Sequence, residues 1–136
     1  MTKLELKDLV YKVNGAAIEV HKTLGPGLLE RIYHKCLAHE LKCLGINFVS
    51  EQIIPVIYKG YLIETDLFCD LFIENKLIVE LKSVEQILPI HEAQILTYMK
   101  IMQIPLGLVI NFNSDNIYKN GQRTFVNEIY RNLPEK

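Results

Sequence analysis

Three residues near the middle of the chain have the types and spacing to do chemistry together: Asp70, Glu80 and Lys82. Asp70 is the one acid in Leu67-Phe68-Cys69-Asp70-Leu71-Phe72-Ile73, and the other two lie in Ile78-Val79-Glu80-Leu81-Lys82. A carboxylate set among large apolar side chains is costly without a partner. Two carboxylates that face each other need a cation, and hard oxygen donors select Mg²⁺, or Mn²⁺ as its substitute, over zinc. An ion so held lowers the pKa of its bound water and polarises a phosphoryl oxygen, while a neighbouring ammonium orients the water or steadies developing charge. That is chemistry for phosphodiester hydrolysis. An isolated E-x-K on a strand is usually a solvated ion pair; the acid-bearing apolar strand before it is what changes the reading.

Both segments are rich in β-branched and aromatic residues and are expected to be strands, Leu67 to Ile73 and Leu77 to Lys82, joined as a hairpin through Glu74-Asn75-Lys76. Side chains alternate across a strand. Phe68, Asp70 and Phe72 are therefore expected on one face, with Leu67, Cys69, Leu71 and Ile73 on the other. Glu80 and Lys82 share a face, about 7 Å apart along the strand. Residues opposite each other in a hairpin have a constant index sum, so Asp70 meets Glu80 only across a loop with an odd number of residues. A three-residue turn satisfies this, and Asn75 tolerates the left-handed backbone such a turn needs. A two-residue turn would send the acids to opposite faces.

Around this hairpin the sequence predicts a helix over about 4–22, from the spacing of Leu6, Leu9, Val10, Val13, Ala16, Ala17 and Val20. Gly25-Pro26-Gly27 ends it. A second helix carries the stripe Leu29, Ile32, Tyr33, Cys36, Leu37, Leu41, Leu44, with Gly45 as its C-terminal stop. Ile46–Ser50 and Ile53–Tyr58 read as strands, Lys59-Gly60 as a turn, and Pro55 as the mark of an edge or bulge. Pro89 opens a helix that runs to about Met102. Leu106–Phe112 is a buried strand, Asn120-Gly121 a turn, and Thr124–Leu133 fits either a strand or a short helix. The order ααββββαβ is that of an α/β domain with a mixed central sheet flanked by helices.

Composition narrows the function. At 136 residues, 49% apolar and 23% charged, the chain suits one domain spanning residues 1–136 with a real core. Its net charge is −1. Proteins that hold nucleic acid mainly through phosphate neutralisation are usually more basic, so any such site must be local or helped by a metal. Cys36, Cys43 and Cys69 form no CxxC pair, which argues against a zinc ribbon or an iron–sulfur cluster; all three are expected to pack as small core residues. No apolar run approaches the roughly 20 residues a membrane helix needs, and no signal peptide is evident in the charged opening, so the expected location is cytoplasmic.

The pattern Asp70-x9-Glu80-x-Lys82, followed by a helix, resembles the signature of the PD-(D/E)XK nuclease superfamily. Two further segments strengthen the likeness. Gln94-Ile95-Leu96-Thr97-Tyr98 is similar to the Q-x-x-x-Y element of the RecB-like branch, and Gly27-Leu28-Leu29-Glu30-Arg31-Ile32-Tyr33 matches the motif that names the prokaryotic GxxExxY family. The resemblance covers about residues 5–125. It implies a restriction-endonuclease-like core of order αβββαβ and a metal-dependent nuclease acting on nucleic acid, with DNA as the first choice of substrate. It implies Asp70, Glu80 and Glu30 as metal ligands with the Leu81 backbone carbonyl. Lys82 would be the catalytic lysine, with Gln94 and Tyr98 placing substrate or water. The proline of the signature is replaced by Cys69.

Two other readings stand beside this one. The same fold can serve as a catalytically silent nucleic-acid-binding or regulatory module, and the near-neutral charge favours that view. A small core of this kind also commonly borrows its substrate grip from a homodimer partner or an associated protein. Intact Lys82 favours turnover, since a mere ion-pair site has no need of it. His21, His34 and His39 make no H-x3-H pair, and His91 reads as a capping or surface histidine.

Overall fold

In a computed structural model describing residues 1–136, the chain opens with helix α1, Lys3–Leu24. Thr2 Oγ1 accepts the Glu5 N–H at 3.1 Å, satisfying one of the helix's free first-turn donors. The expected stripe is buried along it, from Leu6 to Val20. Gly25 ends it with φ of +70°, its N–H donating to the His21 carbonyl. Helix α2, Glu30–Cys43, buries Tyr33, Leu37 and Leu41.

Strand β1 is Phe48–Ile53, and Pro55 lies in the break before β2, Val56–Tyr58. Beyond the Lys59-Gly60 turn runs a strand the sequence reading did not anticipate, β3, Tyr61–Ile63. Lys59 and Gly60 both have positive φ, 48° and 84°, as a two-residue hairpin turn requires. The long strand expected over Ile53–Tyr58 is thus divided: its start completes β1, and its end pairs with β3 in a separate two-stranded ribbon.

The main sheet adds β4, Phe68–Ile73, β5, Leu77–Lys82, β6, Leu106–Asn111, and β7, Gln122–Val126, in spatial order β1-β4-β5-β6-β7. β5 and β6 are parallel, joined through helix α3, Pro89–Met102; the other pairs are antiparallel. The expected mixed sheet flanked by helices is present. The ambiguous C-terminal stretch is both things in turn, β7 and then the short helix α4, Glu128–Arg131.

The sheet carries a different core on each face. Twenty residues pack α1 and α2 against Leu71, Ile73, Val79, Leu81, Leu108 and Ile110. Nine pack α3 against Phe72, Ile78 and Val109, with Ile54 and Cys69 beside them. On the α3 face Gly107 of β6 has no room for a side chain: a Cβ there would lie 2.7 Å from Met99 Sδ and 3.0 Å from Ile95. That close approach seats α3 on the sheet, and with it Gln94 and Tyr98.

The cysteine expectation holds in part. Cys69 is buried and Cys36 half-buried, but Cys43 is exposed, because it falls in the last turn of α2 past the buried stripe.

Candidate active site

The β4–β5 hairpin turns through Glu74-Asn75-Lys76, with φ of +52° at Glu74 and +56° at Asn75. Its register pairs Ile73 with Leu77, Phe72 with Ile78 and Leu71 with Val79. The index sum is that of an Asp70–Glu80 pair, so the parity condition is met. The regular ladder stops at Leu71 and Val79, and carboxylates take over. The Leu81 N–H donates to Asp70 Oδ2 at 2.7 Å, and the Asp70 N–H donates to Glu80 Oε1 at 3.2 Å.

The backbone supplies the reason for this change. In the β1–β4 register every position from Phe48 to Ile53 has its partner except Glu51, which would face Asp70. Glu51 has φ of +53°, a conformation uncommon outside glycine and characteristic of bulges and functional kinks. With that pairing lost, the Asp70 N–H is free to serve Glu80. The same distortion corrects one expectation. Strict alternation puts Cys69 with Leu71 and Ile73, yet Cys69 packs in the opposite core with Phe72, Ile78 and Tyr98.

Burial dominates the electrostatics. Glu80 is only 7% exposed. Desolvation, and then the charge of Asp70, push its carboxyl up to about 8, against opposing contributions from the Asp70 N–H and the Lys82 ammonium. Asp70 is raised as well, chiefly by burial, while the Leu81 N–H, His34 and Lys82 pull it back. Burial lifts the Tyr98 phenol, the Glu80 charge lifts it further, and a hydrogen bond with Gln94 offsets part of the shift. The Cys69 thiol, buried beside both acids, is pushed up to about 12 and is therefore no nucleophile at neutral pH.

Lys82 is half-buried and forms no ion pair, so its ammonium is uncommitted. The Lys82 carbonyl accepts the Phe112 N–H at 2.8 Å, toward β6. Consecutive carbonyls of a strand alternate in direction. The Leu81 carbonyl is accordingly directed toward β4, the side on which the two carboxylates lie.

Glu30 reaches this region from the first turn of α2. Its Oε1 accepts the Ser83 N–H at 3.3 Å, and Ser83 Oγ donates to the Leu28 carbonyl at 2.7 Å. Its charge raises the proton affinity of both Asp70 and Glu80. The expected three-acid ligand set is nevertheless not assembled: no three His, Cys, Asp or Glu side chains anywhere gather into one metal-binding group. Glu30 is exposed and held by the residue just beyond Lys82. What the structure brings together is two carboxylates, with a backbone carbonyl on the same side. Mg²⁺ is characteristically held by one or two carboxylates plus water and substrate oxygens. The donor set fits that ion, because a divalent cation would relieve the like-charge repulsion that raises Glu80.

Several participants were not identified from sequence. Tyr33 is fully buried and stacked on Phe112, ring centroids 4.4 Å apart. Its hydroxyl donates to the Gly25 carbonyl at 2.6 Å and accepts the Leu28 N–H at 3.1 Å. It thus fixes the Gly25–Leu28 loop that delivers Glu30. Ser83 closes the same loop from the other side. Asn111, 4% exposed, grips Val84 with both ends of its amide, at 3.1 and 2.9 Å, and steadies the chain leaving Lys82. His34 lies one turn beyond Glu30, its Nε2 3.1 Å from Ser50 Oγ. Only Ser83 was signalled, by its position after Lys82; the others depend on contacts between distant elements. His91 is a capping residue, its Nδ1 accepting the Leu88 N–H at 3.0 Å.

No helix is long and apolar enough to cross a membrane. A family model described as the PD-(D/E)XK nuclease superfamily matches residues 7–125. No curated protein matches the chain, and no solved structure does.

Proposed function

We propose that this chain, which belongs to the PD-(D/E)XK nuclease superfamily, is a Mg²⁺-dependent nuclease that hydrolyses phosphodiester bonds, with DNA as its substrate. Asp70, Glu80 and the Leu81 carbonyl would hold the ion, and Glu30 stands at the edge of that set. When bound, the ion supplies Lewis-acid polarisation of a phosphoryl oxygen and a water acidic enough to ionise near neutral pH.

The protein's own residues do the rest. Lys82, free of any ion pair, donates hydrogen bonds to the attacking water or to the phosphoryl oxygen on which charge develops. Gln94 and Tyr98, one helical turn apart on α3, orient the substrate against the β5 face. The buried floor formed by Cys69, Ile78 and Ile95 keeps the dielectric low, so each of these interactions is stronger than in water. Gln94 and Tyr98 support a place in the RecB-like branch, and Gly27, Glu30 and Tyr33 in the GxxExxY family.

The reading rests on the reciprocal Asp70–Glu80 arrangement, in which a buried carboxylate has its proton affinity raised by a second. Its test is cleavage of labelled single- and double-stranded DNA by the purified chain with Mg²⁺. Activity that disappears in Asp70→Ala and in Lys82→Ala supports it. A net charge of −1 favours a second reading, a nucleic-acid-binding or regulatory module without turnover. Mg²⁺ binding with no cleavage of DNA or RNA would select that one.

A further inference from the structure

The β2–β3 ribbon is built unlike the rest of the molecule. Two strands of three residues are paired only with each other, and in isolation such a ribbon is at best marginally stable in water. Its side chains are nonetheless apolar and uncovered on both faces. Ile57 lies opposite Leu62 on one face, and these are 68% and 72% exposed. Tyr58 lies opposite Tyr61 on the other, 61% and 75% exposed. Ile53, at the end of β1, and Ile63 extend the same surface. Scattered exposed apolar residues need no explanation, but a contiguous apolar projection marks an interaction site.

We infer that the β2–β3 ribbon is the contact through which two copies of this chain form a twofold dimer. Three observations choose a second copy over other occupants. The segment from Glu51 to Asp66 carries three carboxylates, Glu51, Glu64 and Asp66, against the one ammonium of Lys59. A phosphate backbone is repelled by that balance. Lys59 itself lies over the Tyr58 ring, 5.4 Å from its centroid. Each strand of the ribbon also has one free edge, and an antiparallel edge pairs with its own copy about a twofold axis with every contact made twice. Finally, a fully exposed aromatic offers roughly 150–250 Å². Six largely exposed residues of this size therefore reach the order of 800 Å² per partner that a standard interface buries.

The ribbon's position gives the contact a consequence. Its base is held where the Ile54 N–H donates to the Leu67 carbonyl at 2.8 Å. Ile54 is in the same core as Cys69 and Tyr98. Pairing two ribbons therefore sets the two sites on either side of one interface.

The experiment is sedimentation velocity of the full chain over a wide concentration range, for the native protein and for Ile57→Glu, Leu62→Lys and Lys82→Ala. The native chain should sediment at twice its 15.7 kDa mass. Ile57→Glu and Leu62→Lys should each raise the dimer dissociation constant at least about 30-fold, the effect of losing one hot-spot contact. Both side chains are solvent-facing in the monomer, so circular dichroism should stay native; if one variant misfolds, the other carries the test. Lys82→Ala should dimerise normally whatever happens to hydrolysis, which separates this inference from the nuclease reading. A native chain that is monomeric at every concentration would overturn it. So would a dimer indifferent to both ribbon substitutions.

Discussion

Asp70 and Glu80 each complete the other's strand. The Asp70 carboxylate receives the N–H of Leu81, the residue after Glu80, and the Glu80 carboxylate receives the N–H of Asp70. Two acids thus substitute for backbone acceptors where the β4–β5 ladder parts. Parting the ladder opens the space between the strands, and the side chains that fill it are those with lone pairs for a cation. The same exchange keeps both carboxylates out of water, which is why their proton affinities rise.

A pH dependence of stability follows. The folded Glu80 carboxyl titrates at about 8, against an ordinary value of 4.5. Below 4.5 both folded and unfolded chains are protonated, and the stabilisation from holding that proton is fully present. Between 4.5 and 8 the unfolded chain releases the proton while the folded one retains it, so stability falls by a few kcal/mol as pH rises across that window. Thermal melts in EDTA should show Tm falling from about pH 5 to about pH 9. Millimolar Mg²⁺ should restore the loss at the alkaline end, and Glu80→Gln should flatten the slope.

Lys82→Ala should separate binding from turnover. Lys82 is not among the groups expected to hold the ion, so Mg²⁺ affinity measured by calorimetry should persist or rise slightly. Single-turnover cleavage should drop by about 10²–10⁴-fold, the usual contribution of a positioned proton-handling or charge-stabilising group. Loss of metal affinity equal to the loss of rate would assign Lys82 to folding of the site instead.

Much of this site was legible in the sequence because hairpin parity is arithmetic: with three residues in the turn, Asp70 must meet Glu80, and it does. The two long amphipathic helices and the buried run that became β6 were equally plain, since each fills one period of side-chain alternation over many residues. The β2–β3 ribbon was not, because three-residue strands are too short to display a period, and Val56–Tyr58 merged with the end of β1. Cys69 was assigned to the wrong face because alternation assumes a regular strand, and the Glu51 kink opposite Asp70 is invisible until the chain is folded. Glu30 was found, but its capture by Ser83 arises between residues 53 positions apart.

Tyr33→Phe tests the loop that carries Glu30. The substitution keeps the stack on Phe112 but leaves the Leu28 N–H without its acceptor and removes the donor to Gly25. Denaturant unfolding should show a loss of about 1–3 kcal/mol. Cleavage should fall further than stability explains if Glu30 matters to the site.

Gly107→Ala tests how α3 is seated. The added methyl meets Met99 Sδ and Ile95 at 3.0 Å or less, and overpacking of this kind costs about 1–3 kcal/mol. Because α3 also carries Gln94 and Tyr98, KM should rise as the helix is displaced, while Mg²⁺ affinity, which depends on β4 and β5, should hold.

The central claim is that a divalent ion belongs between Asp70 and Glu80. Its most direct measurement is anomalous diffraction from crystals soaked in Mn²⁺ at about pH 9, where Glu80 is ionised. The account predicts one strong peak within about 2 Å of a carboxylate oxygen of each acid and of the Leu81 carbonyl. Crystals that diffract well, with both acids still bonded to each other's strands and no peak between them, would contradict it.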